Sequence, residues 1–288
     1  GKPAHLLAEG TPGRVALADG RAWVLSDAVI ETSARDLPTL LESSRHGTVG
    51  IVDVSDPENA SVLGGVSLVP PYQPLDLAVR GDLGYVIANA PDLPFVDVVG
   101  EGGPSLLVID AADTTAPRII STSRFTGEAH RIALVGDLAL VAAGSSGLTV
   151  FSIANARNPV LLSSTNQMLA RGAVREVKVG EVAADGDLAL VAVAHGNGSS
   201  TLVVDLSLSG MPVVGELLGT AAGKSGQFGD LAVRQQRGLA AVERLESLSL
   251  SPPVRPSVAG VIPPLVGRAE FMATALGPQL AAAAGSSS

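Results

Sequence analysis

Three near copies of one eleven-residue stretch constrain this chain most: DLAVRGDLGYV at 76–86, RIALVGDLALV at 131–141 and EVAADGDLALV at 181–191. Each sets two apolar stretches, alternating with a period of two, around a Gly-Asp turn, which is the pattern of a tight β-hairpin. RVALADGRAWV (14–24) is a fourth copy, DLAVRQQRGLA (230–240) a fifth with a blurred turn, and MATALGPQLAA (272–282) a sixth. A second hairpin follows the first five: VGIVDVSDPENASVLGGV (49–66), SLLVIDAADTTAPRIIST (105–122), GLTVFSIANARNPVLLSS (147–164), TLVVDLSLSGMPVVGELL (201–218) and LSLSPPVRPSVAGV (248–261). In each, an apolar strand enters an Asp/Ser/Asn/Pro turn and a last strand leaves it, with Pro placed where no ladder N–H is needed. The repeating unit is therefore four strands, A to D. Four-stranded units at such a period are the blades of a β-propeller.

Composition supports many short strands over long helices: 33 Gly and 19 Pro stand among 288 residues, and the 46% hydrophobic content is mainly Val, Leu and Ala. A chain of this length can bury one large core. No apolar run reaches the length of a bilayer-spanning helix. The 28 acidic residues outnumber the 19 basic ones, giving a net charge of −9, which argues against a nucleic-acid backbone as partner. Cys is absent, so disulfides, thiolate metal sites and Cys nucleophiles are excluded.

Six A–B hairpins predict an all-β, six-bladed propeller of antiparallel blades, a single domain over residues 1–288. Residues 1–10, GKPAHLLAEG, look like a strand D, and residues 269–288 supply A and B; together they are expected to form the closing blade. That blade lacks a strand C: LGPQLAAAAGSSS (276–288) stops where VGDLALVAAGSSGLTVFSIANARNP (135–159) runs on into one. The expectation is that this domain is part of a longer polypeptide.

The stretches SLLVID (105–110), VGIVDVSDPENA (49–60) and LALVAAGSSGLTVFSIANARNP (138–159) resemble the LVIVD-repeat β-propellers of bacterial and archaeal surface or secreted proteins. The resemblance implies an extracellular or cell-surface location, or the periplasm. ERLESLSLSPP (243–253) keeps the strand pattern and loses the Ile/Val-Asp signature.

In a propeller the A–B and C–D turns lie at one side and the B–C and D–A connections at the other. The long connections here all belong to the second class: 28–47 and 90–104 (B–C), 165–174 and 219–229 (D–A). Loops escape the packing of the blades, so function is expected there. DLPTLLESSRHG (36–47) predicts a short helix with Asp36 as N-cap, Pro38 in the first turn, Gly47 at C′ and Leu37, Leu40 and Leu41 on one side. That side either packs on the blades or meets a partner. Asp92, Asp97 and Glu101 in a Gly-rich loop are a candidate Ca2+ set, although their spacing is not that of an EF-hand.

Arg14, Asp76, Arg131, Glu181 and Asp230 begin successive A strands, with His130 and Glu270 close by. Placed at the mouth of a central channel, they form a candidate ring for a small ligand, an ion or a partner's side chain; the plain alternative is a water-filled funnel of mutually paired charges. The expected function is a non-catalytic binding or scaffold module for a protein or surface-glycan partner, with no catalytic residue and no cofactor beyond that Ca2+. The alternative is a metal-dependent, lactonase-like hydrolase carried at the mouth by Asp76, Glu181 and Asp230. His46, His130 and His195 come from different blades and need not meet. GTAAGKSG (219–226) has three residues between its outer glycines where a phosphate loop needs four, and no helix pattern follows. HGNGSS (195–200) matches no nucleotide fingerprint.

Overall fold

The structure, a computed structural model, describes residues 10–29, 45–68, 73–90, 103–196, 198–208, 210–218, 228–241, 245–251, 253, 255–262, 269–276 and 281–287. Each of the first five repeats forms a four-stranded antiparallel sheet in the order A-B-C-D. Sheet one holds β1 (Gly10–Ala18), β2 (Arg21–Val29), β3 (Arg45–Asp53) and β4 (Ser61–Leu68). Sheet two holds β5 (Gln73–Arg80), β6 (Leu83–Ala90), β7 (Gly103–Asp110) and β8 (Arg118–Arg124). Sheet three holds β9 (Arg131–Val135), β10 (Leu138–Ala142), β11 (Leu148–Ser152) and β12 (Val160–Thr165). A separate hairpin, β13 (Gln167–Ala170) and β14 (Ala173–Glu176), comes next. Sheet four is β15 (Lys178–Asp185), β16 (Leu188–His195), β17 (Gly198–Asp205) and β18 (Val213–Leu218). Sheet five is β19 (Asp230–Arg234), β20 (Arg237–Ala241), β21 (Leu245–Ser249) and β22 (Ser257–Ile262). The last pair, β23 (Ala269–Leu276) and β24 (Ala281–Ser287), is a two-stranded sheet among the described residues. The architecture is all-β and propeller-like.

The A–B turns demand a left-handed backbone, because only the mirror-image turns match the right-handed twist of the strands. Gly81, Gly136 and Gly186 supply it with φ of 58°, 49° and 58°. The blurred fifth copy keeps the same geometry without glycine: Gln235 and Gln236 sit at φ 47° and 62°.

Chain contacts divide the molecule into two compact units, residues 1–132 with 152–160 and residues 133–151 with 161–288. In the first, Trp23, Leu25, Ile51, Val86, Leu107 and Ile109 form a buried cluster between sheets one and two. Trp23 lies so close to strand β6 that a Cβ on Gly84 would stand 2.5 Å from its ring. In the second, Leu140, Val150, Val182, Val191, Leu202 and Val204 pack with Met168 and Ala170 of the β13–β14 hairpin. Another cluster joins sheets four and five through Leu190, Val203, Leu231 and Leu248. Each such side chain contributes roughly 1.5–3 kcal/mol when fully buried. Strand C is enclosed on both faces, which explains its unbroken apolar run: Leu106 to Ile109 and Leu202 to Val204 have no exposed surface.

Strand D solves a different problem. Gly64 in β4, Ser121 in β8 and Gly215 in β18 occupy equivalent registers. A Cβ on Gly64 would stand 2.2 Å from the Thr114 carbonyl, and one on Gly215 would stand 2.2 Å from the Pro253 carbonyl. Ser121 Oγ donates to the Ala156 carbonyl at 3.1 Å. A small residue here admits the C–D loop of the following sheet.

Several expectations change. Arg45–Gly47 belong to strand β3, with buried Gly47 paired to Asp27 and Leu68, so Gly47 is no helix C′ residue. β2 continues to Val29 and offers these residues a ladder; the predicted helix before them falls outside the described residues. The connection 165–174 is largely not a loop: β13 and β14 alternate there around an Arg171-Gly172 turn. Gly10 pairs with Ala28 in β1, so it does not lie in a closing strand D; residues 1–9 are outside the described set. No helix among the described residues is long and apolar enough to cross a membrane.

Candidate functional site

Three of the strand A positions singled out by sequence, Arg14, Asp76 and Glu181, follow a local irregularity of the ladder. Register shifts fall between Pro12 and Arg14 in β1, between Pro74 and Asp76 in β5, and between Val179 and Glu181 in β15. A bulge of this kind adds a residue, bends the strand and re-aims the side chain that follows. In the first unit this brings three A strands together. Arg14 Nε lies 3.6 Å from Asp76 Oδ1, and the other Asp76 oxygen accepts the Ile132 N–H at 3.0 Å. Asp76 is buried, 8% exposed, and thereby ties sheet two to sheets one and three. Arg131 Nη1 donates to the His130 carbonyl at 3.3 Å, and His130 stands 3.8 Å from the exposed Glu128 carboxylate.

In the second unit Glu181 is buried, and its Oε1 accepts the Val182 N–H at 3.2 Å. None of Asp76, Arg131, Glu181 and Asp230 is without a partner. Glu270 is out of step with the series: it pairs with Ser286 ahead of the shift between Phe271 and Ala273, whereas Arg14, Asp76 and Glu181 directly follow theirs. The residues expected to form a ring thus distribute between units: Arg14, Asp76, His130 and Arg131 in one, Glu181, Asp230 and Glu270 in the other. Among the described residues no group of three or more His, Asp or Glu side chains is placed to hold a metal ion. Asp92, Asp97 and Glu101 lie outside the described residues, as does the Lys224 loop at 219–226. His46 is on β3.

An open polar pocket of about 470 Å³ occupies the loop end of sheet four, lined by Arg171, Arg175, Glu176, His195, Gly196 and Gly198. Its parts are held firmly. The Arg171-Gly172 turn has both residues left-handed, at φ 51° and 70°. Glu216 of β18 grips the tip, its Oε2 accepting the Arg171 N–H at 2.6 Å. Arg171 then reaches across β17, where a Cβ on Gly198 would come within 2.8 Å of its Nη2. Arg175 Nε donates to the Ala170 carbonyl at 3.1 Å. Buried His195 shares a 3.0 Å hydrogen bond between Nε2 and Ser200 Oγ. Glu176 Oε1 accepts from Asn166 Nδ2 at 3.4 Å. Among the described residues no carboxylate forms an ion pair with Arg171 or Arg175. Sequence reasoning names His195 only as a histidine without a shared site and misses the arginines. The signal is there in LARGAVRE (169–176), alternating residues around an Arg-Gly turn.

The opposite ends of the sheets hold the motif aspartates. Asp53 accepts the Ser55 Oγ–H at 2.6 Å and the Ser55 N–H at 2.9 Å. Asp205 does the same with Ser207, at 2.6 and 2.9 Å. Asp110 accepts the Ala112 N–H at 3.0 Å. Three residues on, Asp56 accepts from Asn59 Nδ2 and the Glu58 N–H, and Asp113 from Thr115 Oγ1 and N–H. These bonds hold the carboxyls below the ordinary value: for Asp53 the Ser55 hydroxyl first and then its amide, for Asp56 the Asn59 side chain, for Asp113 the Thr115 hydroxyl, for Asp110 the Ala112 amide. The Asp that closes the motif is a turn-builder.

Residues 126–167 match the LVIVD repeat. The chain is similar to a crystal structure of a functionally unknown protein from Desulfotomaculum acetoxidans DSM 771, with a TM-score of 0.57 and 12% identity over 86% of this chain and 68% of that one. At that identity the likeness concerns fold alone. No curated protein matches the chain.

Proposed function

We propose, for a chain that carries the LVIVD repeat at residues 126–167, a non-catalytic binding module of a secreted or cell-surface protein that presents the loop end of its sheets to a ligand. The observation that supports this most is the contrast in how charge is used. At the A-strand starts Asp76 is engaged by Arg14 and the Ile132 amide and serves to join sheets. At the loop end of sheet four, the Arg171 and Arg175 guanidiniums line an open pocket without a carboxylate partner among the described residues. In this reading the sheets are the blades of a six-bladed ring in which β23 and β24 share their sheet with residues 1–9. Deletion of residues 1–9 is expected to lower the melting temperature of such a ring.

The functional test uses the purified domain on isolated cell-wall glycan, with a parallel panel of lactones and esters in the presence of Ca2+ or Zn2+. Saturable adsorption without turnover is expected, and it should be lost when residues 167–176 are replaced by a Gly-Ser linker. Metal-dependent turnover that disappears on substitution of Asp76, Glu181 or Asp230 would overturn the reading in favour of a hydrolase.

A further inference from the structure

The loop-end pocket of sheet four has a chemistry narrow enough to name its ligand class. Among the described residues of the lining, two guanidiniums against the one carboxylate of Glu176 leave an excess of one positive charge before His195 is counted, with the Glu216 carboxylate outside the lining on the Arg171 amide. That local excess stands out on a chain whose net charge is −9. An anion is therefore the natural occupant, and the planar fork of Arg matches a carboxylate in bidentate fashion. Glu176 sharpens the choice. A dianion such as phosphate would meet its repulsion, whereas a neutral hydroxyl can donate to the lone pairs that Asn166 leaves unused. Among the described residues the lining contributes no apolar side chain, so a hydrophobic residue of a peptide finds no seat there. A volume of about 470 Å³ lies within the ordinary range for small-molecule sites.

We propose that the pocket formed by Arg171, Arg175, Glu176 and His195 binds an acidic sugar, with its carboxylate on the two guanidiniums and its hydroxyls on Glu176 and His195. The inference rests on the binding-platform reading and gives that platform a ligand. The site is prepared in advance. Glu216 fixes the hairpin tip through the Arg171 amide, Gly198 leaves room for the Arg171 guanidinium, and Ser200 holds the His195 ring. Such prior fixing lowers the ordering cost of binding.

The test is a calorimetric titration of the full chain with D-glucuronate, with D-glucose and inorganic phosphate as comparators. Glucuronate should bind saturably, glucose should give no heat of binding, and phosphate should bind at least tenfold more weakly. Arg171→Ala and Arg175→Ala should each weaken glucuronate binding about tenfold or more. Arg171→Lys keeps the charge without the fork and should fall between. Glu176→Gln should narrow the gap between glucuronate and phosphate. Thermal melts establish that each variant is folded, and where Arg171→Ala is not, Arg171→Lys carries the comparison. Equal binding of glucose, tighter binding of phosphate, no glucuronate binding by the folded wild type, or unchanged affinity in the arginine variants would overturn the proposal. A domain that ignores glucuronate yet adsorbs to cell-wall glycan without turnover loses this inference and keeps the platform. Metal-dependent lactone turnover removes the platform itself.

Discussion

The two ends of sheet four treat charge in opposite ways. At the turn end, Asp205 is used up by the hydroxyl and amide of Ser207. Asp185 Oδ2 accepts the Gln235 N–H of the next A–B turn at 2.8 Å. Both carboxylates satisfy backbone donors, one locally and one across to sheet five. At the loop end, Arg171 and Arg175 stand around a pocket with no carboxylate paired to either guanidinium among the described residues. A side chain already saturated by its own backbone can hold a sheet but has little left for a ligand. The turn end is thus built for stacking, and at the loop end the two arginines keep their charge available while Glu216 is spent on the Arg171 amide. That division can be attacked experimentally from both sides.

The largest effect belongs to the turn end. Gly215→Val would drive a branched side chain into the Pro253 carbonyl, which would stand only 2.2 Å from even a lone Cβ at this position. Backbone must move, and overpacking of this kind costs about 1–3 kcal/mol or more. For a chain of this size the melting temperature should fall by roughly 2–4 °C per kcal/mol. Asp205→Ala should cost about 1 kcal/mol, the worth of a hydrogen-bonded turn, with Asp205→Ser recovering part of it. Asp205→Ala should leave ligand affinity unaltered in the folded protein, and a loss of binding in stable Asp205→Ala would erase the distinction between the ends.

Much of this division is legible in the sequence alone. The Gly-Asp turns mark the A–B hairpins, because a two-residue turn of that twist needs a left-handed backbone. The apolar run of strand C marks a strand covered on both faces, and its final Asp marks a turn. What escapes a linear reading depends on register or on distant approach. Gly47 reads as a helix stop, and only the extension of β2 to Val29 makes it a ladder residue. Glu270 reads as one more mouth carboxylate, yet its ladder position lies ahead of its bulge, whereas Arg14, Asp76 and Glu181 follow theirs. The small residues of strand D, Gly64, Ser121 and Gly215, carry their meaning in a carbonyl from the next sheet. Arg171 and Arg175 enter the site because residues 167–176 form a hairpin instead of a loop, and Gly198 makes room for Arg171.

The turn-end rule extends to sheets one and two, where acid tests it. Asp53, Asp56, Asp110 and Asp113 all titrate below the ordinary value of 3.8, held there by hydrogen bonds to their charged forms. The folded protein therefore binds their protons less tightly than the unfolded chain does. Their contribution is complete above the unfolded value and is lost as pH falls through the lowered folded values, so thermal melts should weaken from about pH 4 downward. Asp56 and Asp113 are exposed and Asp53 and Asp110 partly so, and each should contribute modestly. Asp53→Asn combined with Asp110→Asn should flatten this acid limb by lowering the neutral melting temperature modestly toward the acid value. An unchanged acid limb would mean that other groups control it.

The smallest expected effect is the most discriminating. Arg175 is exposed, and its one hydrogen bond among the described residues runs from Nε to the Ala170 carbonyl of the same hairpin. Removing such a side chain should shift stability by no more than about 0.5 kcal/mol. The corresponding truncation at the turn end, Asp205→Ala, should cost about twice as much, because it strips two donors of their acceptor. Denaturant melts of the two variants side by side resolve that difference when the slopes agree. Should Arg175→Ala prove the more costly, its guanidinium is a structural brace for β13 and β14, and the loop end is organised by the same internal satisfaction as the turn end. Should it prove neutral, the charge is kept where the fold has no use for it, which is the condition a binding residue must meet.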